Sequence, residues 1–219
     1  RAAPWLFLLL VLAGLAAVRG LAANYEIGYE IMNGDFQNYN PVRHLLAGQV
    51  PYRDFTVYLG AGELYSVGGL LLVLGNSFGR SMLATNFCTW FYFELLVLAV
   101  CLLVIGTARA ARAAALALCS VFFAYVQGAN LPFAGQVNTL LSYAAANGNS
   151  ARMIRSAALT LAVLVILLGL HFWQQDTSRR LLAPAVLVPF AAGFFVPWSN
   201  DMGGAAYISI ALGYGLYLI

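Results

Sequence analysis

Apolar and polar residues alternate along this chain in long blocks rather than in single steps. Apolar runs occupy residues 4–23, 83–106, 113–127, 156–173, 181–197 and 203–219. A helix needs about 20 apolar residues to cross the hydrocarbon layer of a bilayer, and most of these runs approach that length. Between them lie polar segments at 24–56, 128–155 and 171–180 and a short turn at 198–201. The pattern predicts an all-α, polytopic bundle of transmembrane helices, one membrane domain over residues 1–219. In the first polar segment a short helix is expected over residues 40–46, with Pro41 in its first turn and Gly48 just past its end. Residues 57–75 are ambiguous: five glycines and Glu63 weaken the apolar run. They fit a crossing helix or one lying on the membrane surface.

Composition sharpens this picture. The chain is 62% hydrophobic and 9% charged, with a mean hydropathy of +0.81; soluble domains carry about 25% charged residues. Net charge is only +3, without the basic face a nucleic-acid binder needs. Cys88, Cys101 and Cys119 all fall inside apolar runs, so they read as packing residues rather than metal ligands. A cleaved leader competes with a retained span for residues 4–23; the apolar character of the remainder favours the span. The chain opens without Met and stops within an apolar run, so a piece of a longer polytopic protein is expected.

Arginine placement sets the expected topology, because cytoplasmic loops are enriched in basic residues. Arg109 and Arg112, then Arg179 and Arg180, occupy short loops separated by two spans. Both loops then face the cytoplasm. That assignment holds only if residues 57–75 do not cross. Residues 24–82 become one long external loop with surface or re-entrant juxtamembrane helices, and residues 128–155 a second external loop. The turn at 198–201 faces the same side.

The first loop carries a recognisable order of residues: Asp35-Phe-Gln-Asn-Tyr39, then Arg43-His-Leu-Leu-Ala-Gly48, then Pro51-Tyr52-Arg53-Asp54-Phe55, with a link from Gly75 to Arg80. This order resembles the first external loop of the GT-C superfamily of polytopic membrane glycosyltransferases in its bacterial, polyprenyl-phosphate-dependent form. The resemblance covers roughly residues 4–125. It implies sugar transfer from a lipid-phosphate donor to a saccharide, lipid or protein acceptor, outside the cytoplasmic (inner) membrane. It also implies that the first-loop acid, here Asp35, lies at the catalytic centre as a general base, or helps position acceptor and metal.

The residues themselves fit such roles. A carboxylate near the reacting carbon can take the acceptor's proton, and Asp35 with Asp201 could hold a hard divalent cation, Mg or Mn, through oxygen. Both aspartates also suit helix caps. Arg152 and Arg155 close the second external loop, and their spacing puts them on one helix face. Their guanidinium forks match phosphate oxygens; anionic lipid headgroups are the plainer ligand. Tyr52, Arg53 and Glu63 are further substrate-binding candidates, while an Arg53–Asp54 pair would serve to orient the loop. Glu94, an acid inside an apolar run, is expected to face the bundle interior. Glu26 and Glu30 read as solvated charges, and His44 and His171 as packed interfacial residues. Competing readings are a transporter or flippase of lipid-linked saccharides, and a non-catalytic subunit beside further membrane subunits.

Overall fold

The computed structural model describes residues 3–25, 33–106, 109–126, 154–155, 160, 193–199 and 202–218. The described elements are helices: α1 (Ala3–Tyr25), α2 (Asn33–Leu46), α3 (Ala61–Leu74), α4 (Phe78–Ile105), α5 (Ala110–Val126), α6 (Phe195–Trp198) and α7 (Met202–Leu218). The expected all-α class is therefore seen, with no strand among the described residues. Two helices, α1 and α4, are long and apolar enough to cross a membrane.

α1 packs along α4 through one stripe. Leu8, Leu12 and Ala16 are buried and Gly20 continues the same four-residue spacing, which lines up one helix face. A Cβ on Gly20 would lie 3.2 Å from the Phe87 amide nitrogen, so the helices meet backbone to backbone there. Beside this contact the Arg19 guanidinium lies 5.2 Å from the centre of the Trp90 ring, a cation–π arrangement. α5 joins with small residues, Ala113, Ala117 and Val121, all buried; small side chains let apolar helices approach closely. Leu8, Leu12, Leu98, Cys101, Ala113 and Ala117 form one core. The opposite faces are apolar too: Phe7 is 69% exposed and Val104 79%.

A second core is built by α2, α3 and the start of α4, where Val42, Leu64, Val67, Leu71, Ala84 and Cys88 are buried together with Ile154. α3 ends at Gly75 (φ 91°), whose N–H is donated to Leu71 O. Asn76 and Ser77 then lead into α4, and the Ser77 hydroxyl accepts a hydrogen bond from the Arg80 amide at 3.4 Å. α3 has 14 residues, about 21 Å of helix, short of the roughly 30 Å hydrocarbon layer.

One boundary differs from expectation. α2 begins at Asn33, not near residue 40, and Pro41 sits inside it. A proline there removes one backbone hydrogen bond and strains the preceding turn. Packing holds that turn in place: Asn38 is buried, Tyr39 Oη donates to Asn76 Oδ1 at 3.0 Å, and the Tyr39 ring meets Phe78 edge-on. Towards the C-terminus, the predicted span 181–197 lies outside the described residues except for its last positions. There the four-residue α6 contains Pro197, and α7 turns back against it, Gly203 N–H reaching Ser199 O at 2.8 Å.

Backbone contact at Gly20 predicts a selective sensitivity. Gly20→Leu should lower the thermal midpoint in detergent by roughly 5 °C or more, the scale of an overpacked interface. Gly14→Leu, where a Cβ would meet nothing within 4 Å, should leave it within about 1 °C. Equal effects would mean that α1 and α4 do not meet at Gly20.

Candidate functional site

Glu63 enters the interior at the start of α3. The sequence Leu59-Gly60-Ala61-Gly62-Glu63-Leu64 puts an acid in the helix's first turn, which the macrodipole favours, yet directs it inward beside Leu64 and Val67. Its side chain is 3% exposed, and Oε1 has no hydrogen-bond partner. Removal from water disfavours the charged carboxylate. Burial accordingly pushes the Glu63 carboxyl up to about 8, against an opposing pull from the positive charge of Arg155.

Arg155 is itself buried and is brought to Glu63 from a distant part of the chain. Its Nε–H is donated to Ser199 Oγ at 3.4 Å. One residue away on each side, Trp198 Nε1–H is donated to the Ile154 carbonyl at 3.2 Å. Ser199 is fully buried. Residues 154–155 and 198–199 are thus paired across the head of α3, a guanidinium on a hydroxyl, with Glu63 near enough to feel the charge of Arg155. Such a set can bind an oxyanion through Arg155 and Ser199, and Glu63 can accept or give a proton as its ionisation changes.

Two glycines make this approach possible. Gly60 has φ 101°, a backbone region that L side chains rarely adopt, and a Cβ there would lie 2.4 Å from Trp198 O. A Cβ on Gly62 would lie 2.2 Å from the Trp198 ring. The indole therefore occupies the volume that a side chain at 62 would fill, and the backbone of Trp198 and Ser199 the volume of one at 60.

The PYRDF segment forms a separate, solvent-facing turn. Arg53 Nε–H is donated to Asp54 Oδ1 at 2.8 Å, and Asp54 Oδ2 accepts from the Val50 amide at 2.8 Å. These bonds hold the Asp54 carboxyl below the usual carboxylate range, Arg53 contributing most. Asp54 acts as the expected loop orienter. Tyr52 takes φ 64°, a strained region for an aromatic residue, and is exposed with Arg53. His44 stacks on Phe55 and shares a hydrogen bond with Gln49, a packed role.

The sequence-derived candidates thus divide. Glu63 and Arg155 come together. Tyr52 and Arg53 stand on the exposed turn. Asp35 is the third residue of α2, within its first turn, where the same dipole argument favours negative charge; it does not cap a helix starting near residue 40. The side chain of Asp35, and Arg152 and Asp201 altogether, lie outside the described residues. So do the cation expectation that rests on Asp35 and Asp201, Glu26, Glu30, His171, the loop 128–155 and the span 156–173 apart from Ile154, Arg155 and Thr160. Glu94 is fully buried, facing the interior as expected. Sequence reasoning missed Trp198, Ser199, Gly60 and Gly62 as members of the site. A glycine pair two residues apart before an inward acid was the available signal, but nothing in it names its partner.

Comparisons with known protein families, with curated proteins and with solved structures find no match for this chain.

Buried Glu63 predicts a pH dependence of stability. An ordinary glutamate releases its proton near 4.5, and Glu63 in the folded chain near 8. The folded chain therefore holds the proton over the interval between, and stability falls as pH rises through it. Below about 4.5 the contribution is intact and above about 8 it is lost. The thermal midpoint in detergent should be roughly 5–10 °C lower at about pH 8.5 than at about pH 5, and Glu63→Gln should flatten this difference. An unchanged slope in Glu63→Gln would assign the dependence to another group.

Proposed function

We propose that this chain is a membrane-embedded glycosyltransferase of the GT-C kind, transferring a sugar from a polyprenyl-phosphate donor to an acceptor at the external face of the cytoplasmic membrane. The observation that carries the reading is the buried hydrogen bond from Arg155 to Ser199 at the head of α3, close enough to Glu63 for the guanidinium charge to act on its carboxyl. A phosphate group at the membrane surface fits such a donor set, since its oxygens match the guanidinium fork.

The membrane setting has its own support. α1 and α4 combine membrane-spanning length with apolar side chains exposed on their outer faces. In the proposed reaction the acceptor oxygen attacks the anomeric carbon and passes its proton to the Asp35 carboxylate. The bond from that carbon to the donor phosphate oxygen breaks, and its electron pair leaves on the polyprenyl phosphate. Arg155 holds the phosphate throughout and balances the charge it gains. Arg152 joins it in the clamp, and Asp201 assists at the acceptor or holds a divalent cation, both on the sequence pattern alone.

Transfer of a labelled sugar from a polyprenyl-phosphate donor by the full chain tests this. Asp35→Asn should lower kcat by about 10²–10⁴, the usual loss of a general base. Arg155→Lys, which keeps a cation beside Glu63, should raise the donor KM by about tenfold or more. Full activity in Asp35→Asn would overturn the assignment of the base. Movement of the lipid-linked sugar across a vesicle membrane with no bond formed would favour a flippase instead.

A further inference from the structure

The pairing of residues 198–199 with residues 154–155 is more ordered than a chance contact. Neighbouring residues on one segment grip neighbouring residues on the other. Trp198 fixes the backbone at Ile154 through its indole N–H, at 3.2 Å. Ser199 touches the very next side chain, accepting from Arg155 Nε at 3.4 Å. Ile154 is anchored in turn, fully buried in the core with Val42, Leu64 and Val67. The gripping segment is fixed on its other side by the glycine notch. A Cβ at Gly62 would come within 2.4 Å of Trp198 Nε1, and one at Gly60 within 2.6 Å of Ser199 Cα. Neither Trp198 nor Ser199 can shift towards α3 by the width of a methyl group.

This geometry restricts Arg155 in two ways. Its backbone is located by the bond to the residue before it. Its guanidinium is turned by a bond to Nε, the nitrogen nearest the stem, which limits rotation of the planar fork. A guanidinium recognises phosphate through a flat, directional pair of donors, so small rotations matter more for it than for an ammonium. We propose that Trp198 and Ser199 are positioning residues: seated in the notch at Gly60 and Gly62, they set the plane in which Arg155 meets a lipid-linked phosphate. The inference rests on the reading of Arg155 as a phosphate ligand, and its test separates the two.

The test measures binding of farnesyl phosphate to the full chain in detergent, with farnesol and inorganic phosphate as comparison ligands. Trp198→Phe keeps an aromatic ring in the notch and removes the indole donor. Ser199→Ala removes the acceptor for Nε. Each should weaken farnesyl phosphate binding about 3- to 10-fold and leave farnesol binding unchanged, with the thermal midpoint little altered. In an Arg155→Lys background, where no Nε–H remains, Ser199→Ala should have no further effect. That non-additivity is the signature of action through Arg155, which a purely structural contact would lack.

Three results would count against the positioning role. If Arg155→Lys binds farnesyl phosphate as tightly as the parent, the phosphate reading of Arg155 falls, and the positioning role with it. If Arg155→Lys weakens binding but Trp198→Phe and Ser199→Ala do not, only the positioning role falls. It also falls if Ser199→Ala costs as much in the Arg155→Lys background as in the parent chain. Inorganic phosphate competing as well as farnesyl phosphate would overturn the lipid-linked assignment and make free phosphate the ligand.

Discussion

A carboxyl group removed from water at the head of α3 constrains everything packed around it. Glu63 is nearly inaccessible, and one of its oxygens has no hydrogen-bond partner. Apolar surroundings on their own would make such an acid a liability. The acid keeps its proton up to about pH 8, the charge of Arg155 opposing this only in part, and the arginine in turn takes Ser199 as an acceptor. Each step in this chain of requirements recruits a segment farther along the sequence. The site is consequently assembled by polar necessity inside an apolar frame, not by any local motif.

The frame is of a different kind. α1, α4 and α5 meet through stripes of small or apolar residues, with Gly20 and the alanines of α5 allowing close approach. Apart from Arg19 over the Trp90 ring, that part is held by apolar packing. Helices joined in this way present apolar surface on both sides, inner and outer. The two cores therefore divide the labour: one sets the scaffold, and the other, around Val42, Leu64 and Ile154, sets the site.

Much of the scaffold was legible in the linear pattern. Apolar runs located α1, α4 and α5 to within a few residues, and Gly48, Gly75 and Gly106 mark ends that adopt positive φ. The start of α2 was not legible, because Pro41 argues locally for a helix beginning near it. Contacts of Asn38 and Tyr39 with neighbouring elements override that preference. Within the site, Glu63 and Arg155 could each be singled out as charges in unusual surroundings. Their meeting could not, since it depends on Trp198 fitting where Gly60 and Gly62 leave room. Complementarity of that sort belongs to a pair of segments and leaves no periodic trace in either one.

The notch also orders the events of biosynthesis. Glu63 and its glycines are made early, whereas Ile154 and Arg155 follow much later and Trp198 and Ser199 later still. While the ribosome is still making the middle of the chain, the acid at the head of α3 has neither its counter-charge nor its cover. A nascent chain halted before residue 198 leaves that acid uncovered, whatever its first helices have already achieved. Turns that emerge late are thus the ones that close the interior around segments made early.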